Sequence, residues 1–269
     1  MSEMAPDEVD LGRPSWARVD NYLLRGKDHF QPDRQVADAM IAQLPGLRQL
    51  AQDNRRFLLD AVRVLATEAG VRQYLDVGSA YPVTSSASNV HDVTQDVDPT
   101  ARVVYVDHDP VVAAHARALL TSTAAGRVGF VHADAREPHT ILDDPTLTET
   151  LSLDQPVGLI MTAVLMCIPD HEAHEIVTTL VDRLPAGSHL VLSHPAAESE
   201  HEALMAAAAI ADKAGLLYLP RAREQVAAFL AGLDPLDPGL VPTRSWRRGV
   251  QTDRLPRKAF SWTAVARKR

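Results

Sequence analysis

The chain has 269 residues, of which 46% are hydrophobic and 23% are charged, proportions that are ordinary for a globular protein. Its formal net charge of −8 disfavours a nucleic acid as partner, because binding a phosphate backbone needs a concentrated cationic face. No apolar run approaches the roughly 20 residues that span a bilayer, so we expect no membrane partner either.

The N-terminal segment and the cysteine content predict a cytoplasmic protein. Residues 1–12 are acidic and lack the apolar centre of a signal peptide, and we expect them to form a disordered leader. Cys167 is the single cysteine, so no disulfide can form within the chain, and we expect its thiol to lie in the core. A reducing cytoplasm is the expected compartment for such a chain.

Two helices are predicted before the first strand. The apolar spacing after Val36 is helical, and the Pro-Gly dipeptide at 45–46 is expected to end this helix. A second helix carries the apolar residues within 57–65. We assign residues 13–70 to an N-terminal helical lid segment and residues 71–269 to the sheet-forming domain.

An alternation of strands and helices follows. Five apolar segments are predicted strands, at 73–78, 101–107, 127–134, 157–169 and 188–194. Asp109 and Pro110 are typical of a helix start, and helical segments separate the strands. Strands that are apolar on both faces and alternate with helices predict an α/β fold, in which helices cover both faces of a mainly parallel sheet.

The last third of the chain predicts two more helices and an edge to the sheet. Helical patterns occupy 199–215 and 221–233, and strand patterns occupy 239–246 and 259–268. The two strands are expected to form a hairpin-like edge, which would bring the sheet to seven strands.

Polar and small residues follow the predicted strands, at the edge where ligands bind in a doubly wound sheet. They are Asp76, Gly78, Ser79 and Ala80 for the first strand, Asp107 and His108 for the second, Asp134, Ala135 and Arg136 for the third, and 163–169 for the fourth. Gly78 lets the backbone turn tightly and approach a ligand. Asp107 can accept both hydroxyls of an adenosine ribose, and Asp134 can meet the adenine amino group. The alternative is that these acids are only caps and turn formers.

The loop after Gly78 discriminates between adenosine cofactors. A dinucleotide-binding loop has the pattern G-x-G-x-x-G, but here Ala80, Tyr81 and Pro82 follow, and Pro82 removes a backbone donor. The phosphate-binding pattern G-x-x-x-x-G-K-[ST] is absent from the sequence. A ligand without phosphate tolerates these changes better, and S-adenosylmethionine is such a ligand.

Several stretches also resemble a known family. They are RPSWARVDNYLLRGKDHFQPDR (13–34), NRRFLLDAVRVLATEAGVRQYLDVG (54–78), NVHDVTQDVDPTARVVYVDHDPVVAAHARALL (89–120), AVLMCIPD (163–170), VLSHPA (191–196) and REQVAAFLAGLDPLDPGLVPTRSWR (223–247). The chain is similar to class I S-adenosylmethionine-dependent methyltransferases from high-GC bacteria, a family long catalogued as a domain of unknown function. The resemblance implies a Rossmann-like class I methyltransferase fold that binds S-adenosylmethionine and releases S-adenosylhomocysteine.

The resemblance also implies positions for cofactor contacts. Asp76, Gly78, Ser79 and Ala80 fall on the first cofactor motif, Asp107 and His108 on the ribose position, Asp134 and Ala135 on the adenine side, and Ala163 on the methionine side. The N-terminal motif is expected to fold over the cofactor as a lid, with Tyr22, Gly26, Lys27 and Asp28 at its characteristic positions.

The chain departs from the family pattern in two places. The family usually has G-[ST]-G-x-P-T where this chain has GSAYPVT, so that Ala80 replaces a glycine, and the stretch from Pro82 to Asn89 is longer. In the N-terminal motif Asp20 replaces an aromatic residue and Arg25 replaces a glycine. These changes put the affinity or geometry of cofactor binding in question, but not the fold.

Four further polar residues have two interpretations each. His171 is a candidate general base, or it belongs to the polar first turn of a helix. Lys27, rather than Arg18, is the candidate cation for the carboxylate of the cofactor, and surface salt bridges are the alternative. His194 either faces the pocket or hydrogen-bonds the neighbouring loop. We expect no metal site.

The sequence thus predicts an S-adenosylmethionine-dependent methyltransferase that acts on a small molecule, in bacterial specialised metabolism. A homodimer is compatible with the sequence. One alternative is an enzyme of the same fold and cofactor that catalyses a non-methylating reaction. The other is a non-catalytic ligand-binding protein with a degenerate pocket.

Overall fold

The computed structural model describes residues 10–82, 89–198, 200–247 and 260–269. Three N-terminal helices precede the sheet: α1 (Trp16–Leu23), α2 (Gln31–Gln43) and α3 (Leu47–Thr67). Most of the predicted leader, residues 1–9, lies outside the described residues, as do 83–88 of the longer loop. No helix within the described ranges is long and apolar enough to cross a membrane.

The sheet confirms the predicted α/β class. Its strands are β1 (Gln73–Val77), β2 (Arg102–Asp107), β3 (Arg127–His132), β4 (Gly158–Thr162), β5 (His189–Pro195), β6 (Leu233–Pro235), β7 (Val241–Pro242) and β8 (Ser261–Lys268). They lie in the order β3-β2-β1-β4-β5-β8-β6, with β7 also paired to β8. The first five strands run parallel, and β8 runs antiparallel to β5, β6 and β7.

The remaining helices connect these strands. They are α4 (Val90–Val97), α5 (Pro110–Leu119), α6 (Pro138–Leu142), α7 (Pro145–Thr150), α8 (Asp170–Arg183), α9 (His201–Lys213) and α10 (Arg223–Ala228). At the start of α5, the Asp109 side chain accepts a hydrogen bond from the Val111 N–H, and Pro110 is the first helical residue, as the sequence predicts.

Both faces of the sheet are buried, which explains the continuous apolar strands. Leu75 and Val77 of β1 pack in one core cluster with residues of α8, while Tyr74 packs with α3 on the opposite face. A third cluster joins α1 and α2 to α9, through residues such as Val19, Met40 and Leu204. The N-terminal segment therefore divides: α3 covers the sheet, and α1 and α2 pack on α9.

The structure corrects three details of the predicted elements. The sheet has eight strands in the described residues rather than seven, because the short β6 and β7 both pair with β8. The strand predicted at 157–169 ends at Thr162, where Ala163 turns with a φ of +57° and a 3₁₀ turn follows. The apolar run continues because the loop is itself packed, with Leu165 and Ile168 buried. The strand predicted at 239–246 shrinks to β7, since a 3₁₀ turn begins at Thr243.

Candidate cofactor site

A cavity of about 860 Å³ lies beyond the carboxyl ends of β1, β2, β3 and β4. This volume is within the range of small-molecule sites. Eleven of the twelve predicted cofactor contacts line it: Gly26, Lys27, Asp76, Gly78, Ser79, Ala80, Asp107, His108, Asp134, Ala135 and Ala163. The fold thus brings residues from four strand ends and from the N-terminal motif to one place.

The twelfth predicted contact and the candidate base lie elsewhere. The Tyr22 hydroxyl donates to Asp38 at 2.8 Å, and the Arg48 guanidinium lies over the Tyr22 ring, 4.4 Å from its centroid. Tyr22 therefore joins α1 to α2 and α3. The His171 side chain is 82% exposed, on the first turn of α8, with Nε2 3.6 Å from Glu172. Neither Tyr22 nor His171 is among the described residues that line the cavity.

Helix α1 is tied to both sides of the cavity. The Ser15 hydroxyl, at its N-cap, donates to Asp109 Oδ2 at 2.5 Å, next to the end of β2. On the other side, Trp16 Nε1 donates to the Leu217 carbonyl at 2.9 Å. Arg18 is 4% exposed, and its Nε donates to Asp33 at 3.1 Å, so it acts as a structural ion pair within the segment. These contacts fix α1 in the cavity wall, where its residues Ala17, Asp20 and Leu23 lie.

Gly78 is required by its surroundings. Its φ is +74°, and a Cβ at this position would lie 2.5 Å from Cγ2 of Val164. The N–H groups of Gly78 and Ser79 both donate to the Val106 carbonyl, at 2.9 and 3.0 Å. The turn after β1 is thereby fixed against the end of β2.

Ala80, the residue that departs from the family pattern, keeps a glycine-like backbone. Its φ is +57°, a left-handed conformation that costs an alanine roughly 1–2 kcal/mol. The Ala80 N–H donates to Asp107 Oδ2 at 2.9 Å, which helps to hold this conformation. The substitution therefore strains the loop without abolishing its shape.

Asp107 is oriented by the backbone around it. Its second oxygen, Oδ1, accepts from the Asp109 N–H at 3.0 Å, and the residue is 6% exposed. Burial raises the pKa of Asp107, although the two backbone N–H groups favour the carboxylate. Each carboxylate oxygen can accept a further hydrogen bond, so a diol such as a ribose fits the position.

Asp134 is held by its neighbour Arg136. The Arg136 guanidinium donates Nε to both carboxylate oxygens, at 3.0 and 3.1 Å, and Nη2 to Oδ2 at 2.6 Å. Burial alone would raise the pKa of Asp134, but Arg136 outweighs it and holds that pKa below its usual range. Asp134 therefore lies in the cavity wall as a carboxylate already bound by a cation, and no sequence pattern indicated that Arg136 would be its partner.

The loop after β4 is held from behind by Arg221. This arginine is 2% exposed and donates to the carbonyls of Leu165 and Ile168, both at 2.7 Å, and to Asp170 Oδ1 at 2.7 Å. Its Nη1 also lies 2.6 Å from His194 Nε2. The loop positioned in this way presents Cys167, among others, to the cavity.

His194 has a structural role, whereas Cys167, which we expected in the core, is only partly buried and lines the cavity. His194 is fully buried, and its Nδ1 lies 3.0 Å from the Pro195 carbonyl, so a neutral ring donates there and accepts from Arg221. Burial lowers the pKa of His194 to about 4. Burial also raises the pKa of Cys167 to about 12, which keeps the thiol protonated. His194 thus hydrogen-bonds its neighbours, one of the two interpretations that the sequence allowed.

Three charged residues in the cavity wall were not among the predicted site residues: Asp20 of α1, Arg55 of α3 and Glu172 of α8. Ala17, Asp20 and Leu24 are spaced three and four residues apart and all line the cavity, so a helical projection of α1 points to Asp20. Arg55 has no comparable signal in the sequence. The apolar residues of α3 predict a helix that packs in the core, and nothing in that pattern marks Arg55 as a cavity residue. Within the described residues, no cluster of three His, Cys, Asp or Glu side chains has the arrangement of a metal site.

Comparison with known proteins identifies the family. A family model described as "S-adenosyl methyltransferase" matches residues 2–269. A solved DUF574 family protein from Streptomyces avermitilis is 34% identical over 97% of this chain and 100% of its own, with a TM-score of 0.90. A protein described as a candidate methyltransferase, from Thermobifida fusca, is 33% identical over the whole of both chains, with a TM-score of 0.87.

A more distant structure shares the fold alone. It is an S-adenosylmethionine-dependent methyltransferase from Anabaena variabilis, which is 13% identical over 80% of this chain and 84% of its own, with a TM-score of 0.52. A search among curated proteins found no match. With a family model over almost its full length and two relatives at about one-third identity, the chain belongs to the S-adenosyl methyltransferase family and is an S-adenosylmethionine-dependent methyltransferase.

Proposed function

We propose that the protein methylates a small molecule inside the cavity below α1. The observation that carries this proposal is the cavity itself, of about 860 Å³, which combines the Gly78 turn, the Asp107 carboxylate and a covering helix. A cavity of this size suits a cofactor with a small acceptor, whereas a macromolecule would need an open groove. As part of the same proposal, the reaction belongs to bacterial specialised metabolism and takes place in the cytoplasm.

The residues present fit S-adenosylmethionine. Asp107 offers free acceptor positions for the two ribose hydroxyls, and Asp134 and Ala135 form the wall where an adenine would lie. The turn from Gly78 to Ala80 lacks the open glycine-rich backbone that a pyrophosphate requires, which agrees with a phosphate-free ligand. When bound, S-adenosylmethionine supplies a methyl carbon made electrophilic by its sulfonium.

The chain then contributes position, exclusion of water and proton handling. Holding two reactants in line can supply much of the acceleration of a displacement reaction. The lid segment, residues 13–70, would exclude water through α1, which is tied to both sides of the cavity. A general base is needed only where the acceptor must lose a proton, and His171 lies outside the cavity wall.

Calorimetric titration with S-adenosylmethionine and S-adenosylhomocysteine tests the cofactor part of this proposal. We expect the wild type to bind both, and Asp107→Ala to weaken both by about tenfold to a hundredfold, because hydrogen bonds to a carboxylate are lost. Asp212→Ala, at an exposed position of α9, is the matched control and should bind like the wild type. Folded wild-type protein that binds neither ligand would contradict the proposal.

Incubation with candidate acceptors tests the reaction itself. S-Adenosylhomocysteine that accumulates only with a particular small molecule supports methylation. An acceptor that is converted while S-adenosylmethionine stays intact would instead support a non-methylating enzyme of the same fold. Binding without any turnover across a broad set of acceptors would favour the ligand-binding alternative.

A further inference from the structure

One end of the cavity is apolar and is formed mainly by helices rather than by strand ends. Its residues line the cavity and also belong to the core cluster that joins α1 and α2 to α9, or pack against that cluster. They come from α1, the start of α3, the loop after β4 and the segment after α9: Trp16, Leu23, Leu24, Leu47, Ala51, Met166, Leu216 and Tyr218. The predicted cofactor contacts are a separate set, so we call these eight residues the apolar end.

Hydrogen bonds and a ring contact hold the walls of the apolar end together. Trp16 Nε1 donates to the Leu217 carbonyl, and the Leu219 N–H donates to the Met166 carbonyl, both at 2.9 Å. The rings of Trp16 and Tyr218 lie side by side, with their centroids 5.4 Å apart and their planes tilted by 37°. The chain thus presents a preformed surface of aromatic and aliphatic side chains, which suits a flat apolar ligand.

Tyr218 adds an unsatisfied hydroxyl group to this surface. The residue is 4% exposed, and its hydroxyl has no hydrogen-bond partner among the residues that the structure describes. Burial raises the pKa of Tyr218, and the nearby Cys167 adds to the rise, so the hydroxyl stays protonated. Because Cys167 also lines the cavity, the hydroxyl lies next to the cavity wall. An unpaired buried hydroxyl is costly, and a ligand atom that pairs with it would remove that cost.

The charges near the apolar end are solvated. Arg25 and Lys27 belong to the cavity wall on the turn that follows Leu24, and both residues are exposed. Water therefore weakens the attraction that their charges exert on a ligand. An ionised group placed against the eight apolar-end residues would lose its hydration without gaining a buried partner there. The apolar end therefore favours an uncharged ligand.

We propose that the apolar end binds the methyl acceptor, and that the acceptor is an uncharged aromatic molecule with a group that hydrogen-bonds to Tyr218. This inference rests on the proposed function, because it assumes a cofactor at the strand ends of the same cavity. Tyr218 then determines specificity: an acceptor that lacks the polar group leaves the hydroxyl unpaired, and a site with an unpaired buried group rejects such a ligand.

Naphthalene and 2-naphthol are suitable probes, because they share an apolar aromatic body and differ by one hydroxyl. Equilibrium dialysis with saturating S-adenosylhomocysteine gives the affinity of each probe for the wild type, Tyr218→Phe and Met166→Ala. Tyr22→Phe is the matched control, since the Tyr22 hydroxyl donates to Asp38 and Tyr22 is not among the described residues that line the cavity. Thermal melts establish that each variant is folded.

We expect Tyr218→Phe to lower the affinity for 2-naphthol relative to naphthalene by about fivefold, which corresponds to one hydrogen bond. Its affinity for naphthalene should change by no more than about twofold, because the ring remains. Tyr22→Phe should leave the ratio of the two affinities unchanged. Met166→Ala should weaken both probes by a similar factor, about threefold to tenfold, because it removes apolar contact from each alike.

Several results would overturn the inference. They are an unchanged ratio in Tyr218→Phe, an equal fall in Tyr22→Phe, and failure of the folded wild type to bind either probe. Tighter binding of 2-naphthoate or 2-naphthylmethylamine, which are ionised at neutral pH, than of 2-naphthol would also overturn it, because the site would then select charge. A wild type that does not bind S-adenosylhomocysteine before any probe is added contradicts the proposed function instead.

Discussion

Two arginine clusters in this protein differ in how their acidic partners are satisfied: Arg221 is buried, whereas Arg55 is partly exposed. Around Arg221, every hydrogen-bonding group has a protein partner: two carbonyls, Asp170 and the neutral ring of His194. Around Arg55, the two acids Asp20 and Asp76 have raised pKa values and line a cavity. The first arrangement stabilises a loop, and the second lines the cavity.

The two clusters show that a buried charge can belong either to the fold or to a site. A buried charge whose partners all belong to the protein contributes to the fold, whereas buried charges that face a cavity without partners lower stability and mark a site. The two clusters should therefore respond in opposite ways when one charge is removed.

The largest effect is expected for Arg221→Met. The substitution leaves Asp170, His194 and two carbonyls without their donor, so we expect the free energy of unfolding to fall by about 3 kcal/mol. Urea unfolding measures the change. Arg56→Met, at an exposed position of α3, is the control and should change stability by less than about 0.5 kcal/mol. A loss no larger than that of the control would show that the cluster is not structural.

Asp76→Asn should act in the opposite direction. The pKa of Asp76 is about 7 in the folded protein, above the usual value near 4 of an unfolded chain, so the folded state holds its proton more tightly. The contribution of Asp76 to stability is therefore present at low pH and is lost as the pH rises to 7 and above. Asn does not ionise, so the variant should gain about 2 kcal/mol relative to the wild type between pH 5 and pH 8.

Urea unfolding at the two pH values measures that gain. If the difference in free energy of unfolding between Asp76→Asn and the wild type is the same at pH 5 and at pH 8, the proposed contrast between the two clusters is wrong. The same variant should bind S-adenosylhomocysteine more weakly than the wild type, which would show that the acid is kept for the ligand rather than for the fold.

The smallest change in stability is expected for Ala80→Gly, in the turn after β1 whose Ala80 N–H donates to Asp107. Glycine removes the cost of the positive φ, and the greater freedom of the unfolded chain offsets part of the gain, so stability should rise by about 0.5 kcal/mol. Ala222→Gly, at a φ of −65°, removes no such strain and should lower stability or leave it unchanged. A loss at Ala80 as large as at Ala222 would mean that the turn carries no strain.

The sequence predicted the parts of the site that follow from strand periodicity. Gly78, Asp107 and Asp134 come directly after apolar strands, and parallel strands bring their carboxyl ends to one edge, so the three could be placed together before the structure was known. The strand predicted at 157–169 was too long, because the loop that follows β4 is as apolar as the strand itself. That loop is packed against the core, so apolar composition alone does not mark where the strand ends.

The remaining parts depend on tertiary packing that no local pattern encodes. Arg136 binds Asp134, and Arg221 reaches the loop after β4 from a segment between α9 and α10. Tyr22 matched a family motif, but its hydroxyl bonds Asp38 in α2, away from the cavity. Asp20 and Arg55 come to line the same cavity only in the folded chain, where α1 is positioned by long-range contacts such as the hydrogen bond from Trp16 Nε1 to the Leu217 carbonyl.

A crystal structure of the protein with S-adenosylhomocysteine tests the central claim most directly. We expect the ligand in the cavity, with its ribose hydroxyls within hydrogen-bond distance of Asp107 and its adenine beside Asp134 and Ala135. A ligand bound elsewhere, or bound in the cavity with its ribose away from Asp107, would contradict the proposed function.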